Sequence, residues 1–331
     1  MSTIRDVAKL ANVAVGTVSR YMNGAQIKVE NKVKIDVAIK ALDFKPNLIA
    51  RTLKTNKTHN IGVIIPGLSD IYSTTIVKSI EEELYHKGYN IFVCDSRGNP
   101  DLEMEKVGIL LDKMVDGLII HPSREDISYL QEFKKQVPIV TLDILGKGFE
   151  CDQVLTDNVN ATYVVTEWLI NNNHKKIAII TGGSKTFTAA ERLKGYERAL
   201  EDYGFTLEDQ YVKAQDFSEK SGFEGLTQFM KLTEPPTAII ACNYYTTLGA
   251  VKATYALGLN VPEELSLIGF DNLGVSEIAR PSLSIVVQPM DEIGKTAAQL
   301  LLKRIKGDYT DFPIVRRLKT SFILNGSTRK L

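Results

Sequence analysis

Residues 3–23 read TIRDVAKLANVAVGTVSRYMN, a short basic stretch whose apolar positions fall into two groups. Ile4, Val7, Ala8, Ala11 and Val13, then Val18, Tyr21 and Met22, have the spacing of two short helices sharing one small core. Thr3 is placed to cap the first helix. Between the helices, Asn12 stands where a tight corner needs a left-handed residue, a conformation Asn tolerates. Two helices joined by such a turn make a helix-turn-helix, whose second helix can enter the DNA major groove.

That second helix is expected from about Val15 to Met22. With Val18, Tyr21 and Met22 turned to the core, Gly16, Thr17 and Arg20 face outward. Arg20 is the candidate base reader, because a guanidinium can bond guanine O6 and N7 together. Thr17 and Ser19 carry hydroxyls suited to phosphate oxygens, contacts that position without reading sequence. Val15, Thr3 and Asn23 complete the candidate DNA-facing set.

Charge supports this reading over that of an ordinary surface helix pair. The chain holds 40 basic and 40 acidic residues, yet residues 1–58 contain 11 Lys/Arg against 4 Asp/Glu. A basic head on an acidic body is the electrostatic footprint of a polyanion binder. The 331 residues suffice for two or three domains with their own cores. No long apolar window occurs and the N-terminus is charged, so neither a membrane nor a secreted protein is expected, and a cytoplasmic one is. Cys94, Cys151 and Cys242 are isolated and read as buried thiols, without disulfide or zinc spacing.

A third helix from about Glu30 to Leu42, with Val33, Val37, Ile39 or Lys40, and Ala41 in helical spacing, is expected to complete the head's core. Pro46 then breaks the helix, and Asn47 can cap a short one over 48–54. Seven residues cannot hold a helix alone, since roughly 12 to 15 are needed in water. Leu48, Ile49 and Leu53 therefore call for a partner surface, from a second copy of the chain and from DNA, where Leu53 could wedge a base step.

Several motifs in one order resemble the lactose-repressor (LacI/GalR) family of bacterial transcription regulators. They are TIRDVAKLANVAVGTVSRYMNG, KPNLIARTL, IGVIIP, VDGLII, RLKGYERAL, PTAIIACN, VPEELSLIGFDN and RPSLSIVVQP, and they cover nearly the whole chain. The resemblance implies a hinge helix that folds when a dimer binds its operator. It also implies that Leu53 inserts at the centre of the site and that Ala50 lets paired hinge helices approach. The family usually has glycine at the position of Asn12 and serine at that of Ala14, so a capping side chain worth about 1 kcal/mol is missing before the recognition helix. Val15 and Gly16 occupy positions that vary and help select the operator.

From Asn60 onward, apolar runs (NIGVIIP, NIFVCD, GLIIH, IVTLD, then KIAIITG, AIIACN, LSLIGFD) alternate with amphipathic stretches such as TIVKSIEEELYHKG and LEMEKVGILLDKM. This predicts two doubly wound, parallel-sheet α/β subdomains. The expected fold is thus an all-α helix-turn-helix head on a clamshell like that of periplasmic binding proteins. The expected parts are a head over 1–45, a hinge and linker over 46–58, a first subdomain over 59–158 plus 290–316, and a second over 159–289 plus 317–331.

Open α/β sheets bind ligands past the carboxyl ends of their strands. Asp143, Asn243 and Asp271 end strands there, and Arg192 follows a fourth at an expected helix start. Such donors and acceptors suit a polyhydroxylated ligand. By resemblance, the family's sugar binders use residues matching these four, and Asp70, Tyr72 and Phe217 fall at cleft positions. Tyr244 replaces an aspartate common in relatives, which makes the pocket more aromatic and less acidic.

The four histidines are scattered, so no catalytic centre, metal or cofactor is expected. The TGGS at 181–184 lacks the Lys-Ser/Thr of a phosphate loop and reads as a turn. The implied function is an effector-controlled repressor, most simply of a carbohydrate-utilisation operon, acting as a homodimer on palindromic DNA. MDEIGKTAAQLL, from residue 290, resembles the helix by which catabolite-control regulators hold a phosphorylated carrier protein. Asp291 and Gln299 replace the tyrosine and arginine of that helix, which removes a phosphate clamp. A free sugar-transport protein, the third reading, does not account for the basic head.

Overall fold

The computed structural model describes residues 2–331 except 23–24, 45–56, 134–135, 184–185 and 272–273. Two compact units divide the chain, residues 1–58 and 59–331. Asn23, Ala50, Leu53 and the expected helix over 48–54 lie outside the described residues.

In the head, α1 (Ile4–Leu10), α2 (Val15–Met22) and α3 (Val29–Ala41) enclose Val7, Ala8, Ala11, Val18, Ile35 and Ala38. Thr3 caps α1 in a reciprocal box, accepting from the Asp6 N–H while the Asp6 carboxylate accepts from the Thr3 N–H at 2.8 Å. Asn12 turns the corner at φ +51°. The face expected for α3 is corrected. Val33 and Val37 are exposed, while Ile35 and Ala38 are buried with Ile39 and Leu42 half-buried beside them. Positions 35, 38, 39 and 42 form one stripe of a 3.6-residue helix, whereas 33 and 37 lie on its opposite side.

The body contains two six-stranded sheets. The first is built from β1 (Asn60–Ile65), α4 (Ile71–Tyr85), β2 (Asn90–Asp95), α5 (Pro100–Asp112), β3 (Gly117–Ile120), β4 (Ile139–Leu142) and β5 (Asp152–Thr156). The chain then crosses to the second subdomain, with α6 (Asn158–Asn171), β6 (Ile177–Gly182), α7 (Phe187–Asp202), β7 (Val212–Gln215), α8 (Glu219–Phe229), β8 (Ala238–Ala241), α9 (Tyr244–Leu257), β9 (Ser266–Phe270), α10 (Val275–Ile278) and β10 (Ser284–Val287). It returns in α11 (Met290–Ile305) and β11 (Val315–Leu318), then ends in the second sheet with β12 (Ser321–Ile323).

The strand orders are β11-β5-β4-β3-β1-β2 and β12-β10-β9-β8-β6-β7, so strands correspond one to one. Every pairing is parallel except β10 with β12. Nearly continuous Ile, Val and Leu runs in β1, β3, β4 and β8 are buried because helices cover both faces. The border expected at 316/317 cuts through β11, which stays paired to β5 as far as Leu318. Asn158, expected to close the first subdomain, is the first residue of α6.

A buried ion pair ties the end of α11 and the approach to β11 onto β5. Arg304 on α11 grips Asp152 through Nε and Nη2 at 2.7 and 3.0 Å, and the same carboxylate accepts from the Ile314 N–H ahead of β11. Among the described residues no helix is long and apolar enough to cross a membrane. All three cysteines are free.

Candidate ligand cleft and nucleic-acid interface

Asp143 follows β4 and Asp271 follows β9, the third strands of their respective sheets. Both adopt left-handed φ, +57° and +64°. Each N–H bonds a carbonyl of the next strand, Asp143 to Val154 at 2.9 Å and Asp271 to Val286 at 2.8 Å. The two carboxylates are therefore equivalent residues of a repeated architecture, one on each side of the cleft. Asp tolerates the left-handed turn that lifts its side chain off the strand end.

Arg192 joins them from the second turn of α7, not from the helix start expected for it. It is 4% exposed, with Nε donating to Asn158 Oδ1 at 2.8 Å and Nη1 to the Cys242 carbonyl. Its guanidinium lies 4.5 Å from the Phe270 ring centre and 5.8 Å from that of Phe217. Gly182 makes room for Phe217, because a Cβ there would lie 2.6 Å from the ring.

The electrostatics follow from burial. Burial pushes Asp271 up to about 6, opposed by Arg192 and by Gln288, whose Nε2 donates to Oδ1 at 2.8 Å. Asp143 is raised by burial too, against the pull of His121 and Arg192. His121 Nε2 stands 3.9 Å from Asp143 Oδ2. The Tyr72 phenol is well above its ordinary value through burial and the two aspartates. Groups from both subdomains thus act on one another across a closed cleft.

Buried polar atoms are normally bonded, and those that are not need an explanation. Among the described residues, the buried Tyr72 Oη, Asp143 Oδ1, Thr156 Oγ1, Thr181 Oγ1 and Gln288 Oε1 lack a hydrogen bond of ordinary geometry, although Tyr72 interacts with both Asp143 and Thr156, and Thr181 with Cys242. Tyr72, Asp143 and Thr156 come from the first subdomain, Thr181 and Gln288 from the second, and each lies at or just past a strand end or in the first turn of α4. The mixture of hydroxyls, a carboxylate oxygen and an amide oxygen suits a ligand rich in hydroxyl groups.

Two expected cleft residues also cap helices. Asn243 caps α9, with Oδ1 accepting from the Thr246 N–H at 2.9 Å and Nδ2 donating to the Phe217 carbonyl at 3.0 Å. It fastens the loop that carries Phe217. Asp70 caps α4, accepting from the Ser73 N–H at 3.1 Å. His121, Thr156, Thr181 and Gln288 were not among the expected residues. All follow or end strands, so the rule that found Asp143 and Asp271 would have reached them had Thr and Gln been admitted. Thr181 and Gly182 of TGGS are the last residues of β6, a strand end where a turn was expected.

On the head, Arg20, Gly16 and Val15 are exposed, and Thr17 and Ser19 are half-buried. Nothing lies within 4 Å of a Cβ built on Gly16. Ala14 precedes α2 with only its carbonyl engaged, by the N–H groups of Thr17 and Val18. Among the described residues no three His, Cys, Asp or Glu side chains are gathered as a metal would require.

Residues 3–47 match the family of bacterial regulatory proteins, lacI family, and residues 58–320 match the periplasmic binding proteins and sugar binding domain of LacI family. The chain is 35% identical over 317 residues to catabolite control protein A of Priestia megaterium, covering 95% of this chain and 96% of that protein. It is 33% identical over 334 residues to the transcriptional repressor PurR of Actinobacillus pleuropneumoniae serotype 3 (strain JL03), covering 100% and 99%. Among solved structures, the lac repressor dimer bound to operator and the anti-inducer ONPF matches with TM-score 0.87 and 26% identity over 99% of both chains. The transcriptional regulator CelR in complex with cellobiose matches with TM-score 0.73 and 28% identity, covering 99% and 100%. The chain belongs to the LacI family of bacterial regulatory proteins.

Proposed function

We propose that this chain is a transcriptional repressor of carbohydrate-utilisation genes whose grip on a palindromic operator is set by a sugar or sugar derivative in the clamshell cleft. The observation that carries the ligand reading is the set of buried polar atoms without a well-formed hydrogen bond that both subdomains contribute to one cleft. Hydroxyls of a bound sugar would satisfy them, with Asp143, Asp271 and Arg192 supplying the charged partners and Tyr72 and Phe217 the apolar faces. Relatives solved with cellobiose and with ribose support that class.

Exposed Arg20, with Thr17 and Ser19 beside it and Val15 and Gly16 ahead, forms the reading surface of the head. Asn23, Ala50 and Leu53 are assigned to DNA from the family resemblance. A homodimer is supported by the operator-bound relative, and by the large apolar side chains Tyr85, Phe92, Tyr255 and Ile278 that one copy leaves in solvent. Ligand and DNA are coupled if the ligand holds one arrangement of the dimer more tightly than the other, typically by about 1–3 kcal/mol. The relatives are regulators and not enzymes, and no catalytic step is assigned.

The test is a thermal-shift screen of neutral mono- and disaccharides, sugar acids and sugar phosphates. A cleft ligand raises Tm with concentration. Arg192→Ala should abolish that shift and leave DNA binding as in the wild type; an undiminished shift in the variant would reject the pocket.

A second reading, control by a phosphorylated carrier protein, is favoured by the 35% identity to catabolite control protein A. Against it, Gln299 on α11 donates to Glu83 at 3.3 Å, so an acid stands beside the place where a phosphate would need a cation. Retention of the chain on immobilised phosphorylated carrier would restore that reading.

A further inference from the structure

One hydrogen bond joins the lips of the cleft far from where the chain crosses it. Tyr245, the second residue of α9, donates its hydroxyl to the Ser69 carbonyl at 2.9 Å. Ser69 lies in the loop between β1 and α4, directly before the Asp70 cap, and Tyr72 sits in the first turn of that helix. On the partner lip, the Tyr245 ring meets Tyr244 edge to face at 5.2 Å.

The crossings leave from β5, β10 and β11, at one side of the two sheets. Arg317 on β11 bonds Glu191 on α7 at 2.7 Å near that side. Ser69 follows β1, three strands away from β5, or roughly 14 Å at the usual strand spacing. A rotation about the crossings moves the β1 lip more than the β5 lip. The Tyr245–Ser69 bond is therefore made when the cleft is closed and lost when it opens. Contacts that differ in this way between two states are what bias an equilibrium.

We infer that Tyr245 is a positioning residue for closure, its hydroxyl latching the second subdomain onto the loop that sets the first turn of α4. The latch holds Tyr72 and Asp143 opposite Arg192 and Asp271 without a ligand. A ligand that enters the open cleft then closes it at a smaller cost, because the latch already favours the closed arrangement. This consequence for binding rests on the cleft being the ligand site; the latch itself does not.

Amide hydrogen exchange on the full-length chain, with neither DNA nor ligand added, tests it. A hydroxyl-to-carbonyl bond of ordinary net strength corresponds to about a two- to tenfold change in the closed population. Tyr245→Phe should speed exchange by that factor in peptides spanning residues 67–76 and 243–248, on both lips together. Core strands β1 and β8 should be unchanged, and Tyr211→Phe, which removes a hydroxyl bond to the Glu234 carbonyl within the second subdomain, should leave both lips at the wild-type rate. Wild-type exchange in Tyr245→Phe, or equal acceleration of the core strands, would overturn the inference. A ligand-binding failure elsewhere in the chain would leave these rates untouched, so the latch and the pocket fail separately.

Discussion

Asp271 is buried on a left-handed backbone, and burial raises its carboxyl against the pull of both Arg192 and Gln288. Its native midpoint of about 6, against 3.8 for an ordinary aspartate, means the folded state keeps a proton that the unfolded chain releases. Stability from this group is complete below about pH 4, declines as pH rises to about 6, and is flat above. Asp271→Asn, which keeps the shape and tolerates positive φ, should therefore stabilise the ligand-free protein at pH 7.5. The gain has an upper bound of about 3 kcal/mol, less what Arg192 loses, and should vanish near pH 4. Thermal unfolding of both proteins across that range checks it, and a pH-independent difference would contradict the assignment. On the proposed pocket, the same variant should also bind the cleft ligand more weakly.

At the scale of elements, the recognition helix and its turn were legible because their signals are local. Asn12 announces a left-handed corner and the apolar spacing of α1 and α2 fixes which faces meet. The third helix was misread at its core face, since Val33 and Val37 are as apolar as Ile35 and only packing decides between them. Arg20, exposed on α2, should carry the direct readout: Arg20→Ala is expected to cost about 1–3 kcal/mol on the operator and to relax specificity at one base pair. Binding to random DNA should fall much less, as measured by anisotropy at fixed salt. The junction of α8 and α9 rests on a glycine. A Cβ on Gly249 would lie 1.9 Å from the Glu219 carbonyl oxygen and 2.7 Å from the Phe223 nitrogen. Gly249→Ala should force the helices apart and destabilise by about 1–3 kcal/mol. Because α9 carries Asn243 and Tyr245, ligand affinity should drop with it; unchanged melting would refute that packing argument.

For the whole molecule, the alternation of apolar runs and amphipathic helices was enough to read two parallel sheets, and the strand-end rule was enough to place Asp143 and Asp271 just past equivalent strands. The repeated strand order was not legible, because β11 and β12 are only four and three residues long with largely exposed side chains, and pair with partners far away in sequence. Their absence from the reading placed a domain border inside β11. Thr156, Thr181 and Gln288 escaped for another reason: a hydroxyl or amide at a strand end is common, and only an oxygen buried without a well-formed hydrogen bond marks it out. Tyr245 was invisible until the two lips were seen together.

These scales meet in one claim, that occupancy of the cleft sets the affinity of the head for its operator. The direct measurement is the Kd for a palindromic fragment from the gene's own neighbourhood, with and without a saturating amount of the sugar that most raises Tm. About a 5- to 150-fold change in Kd is expected for the wild type and none for Arg192→Ala. An operator Kd that is the same with and without that sugar in the wild type would contradict the account.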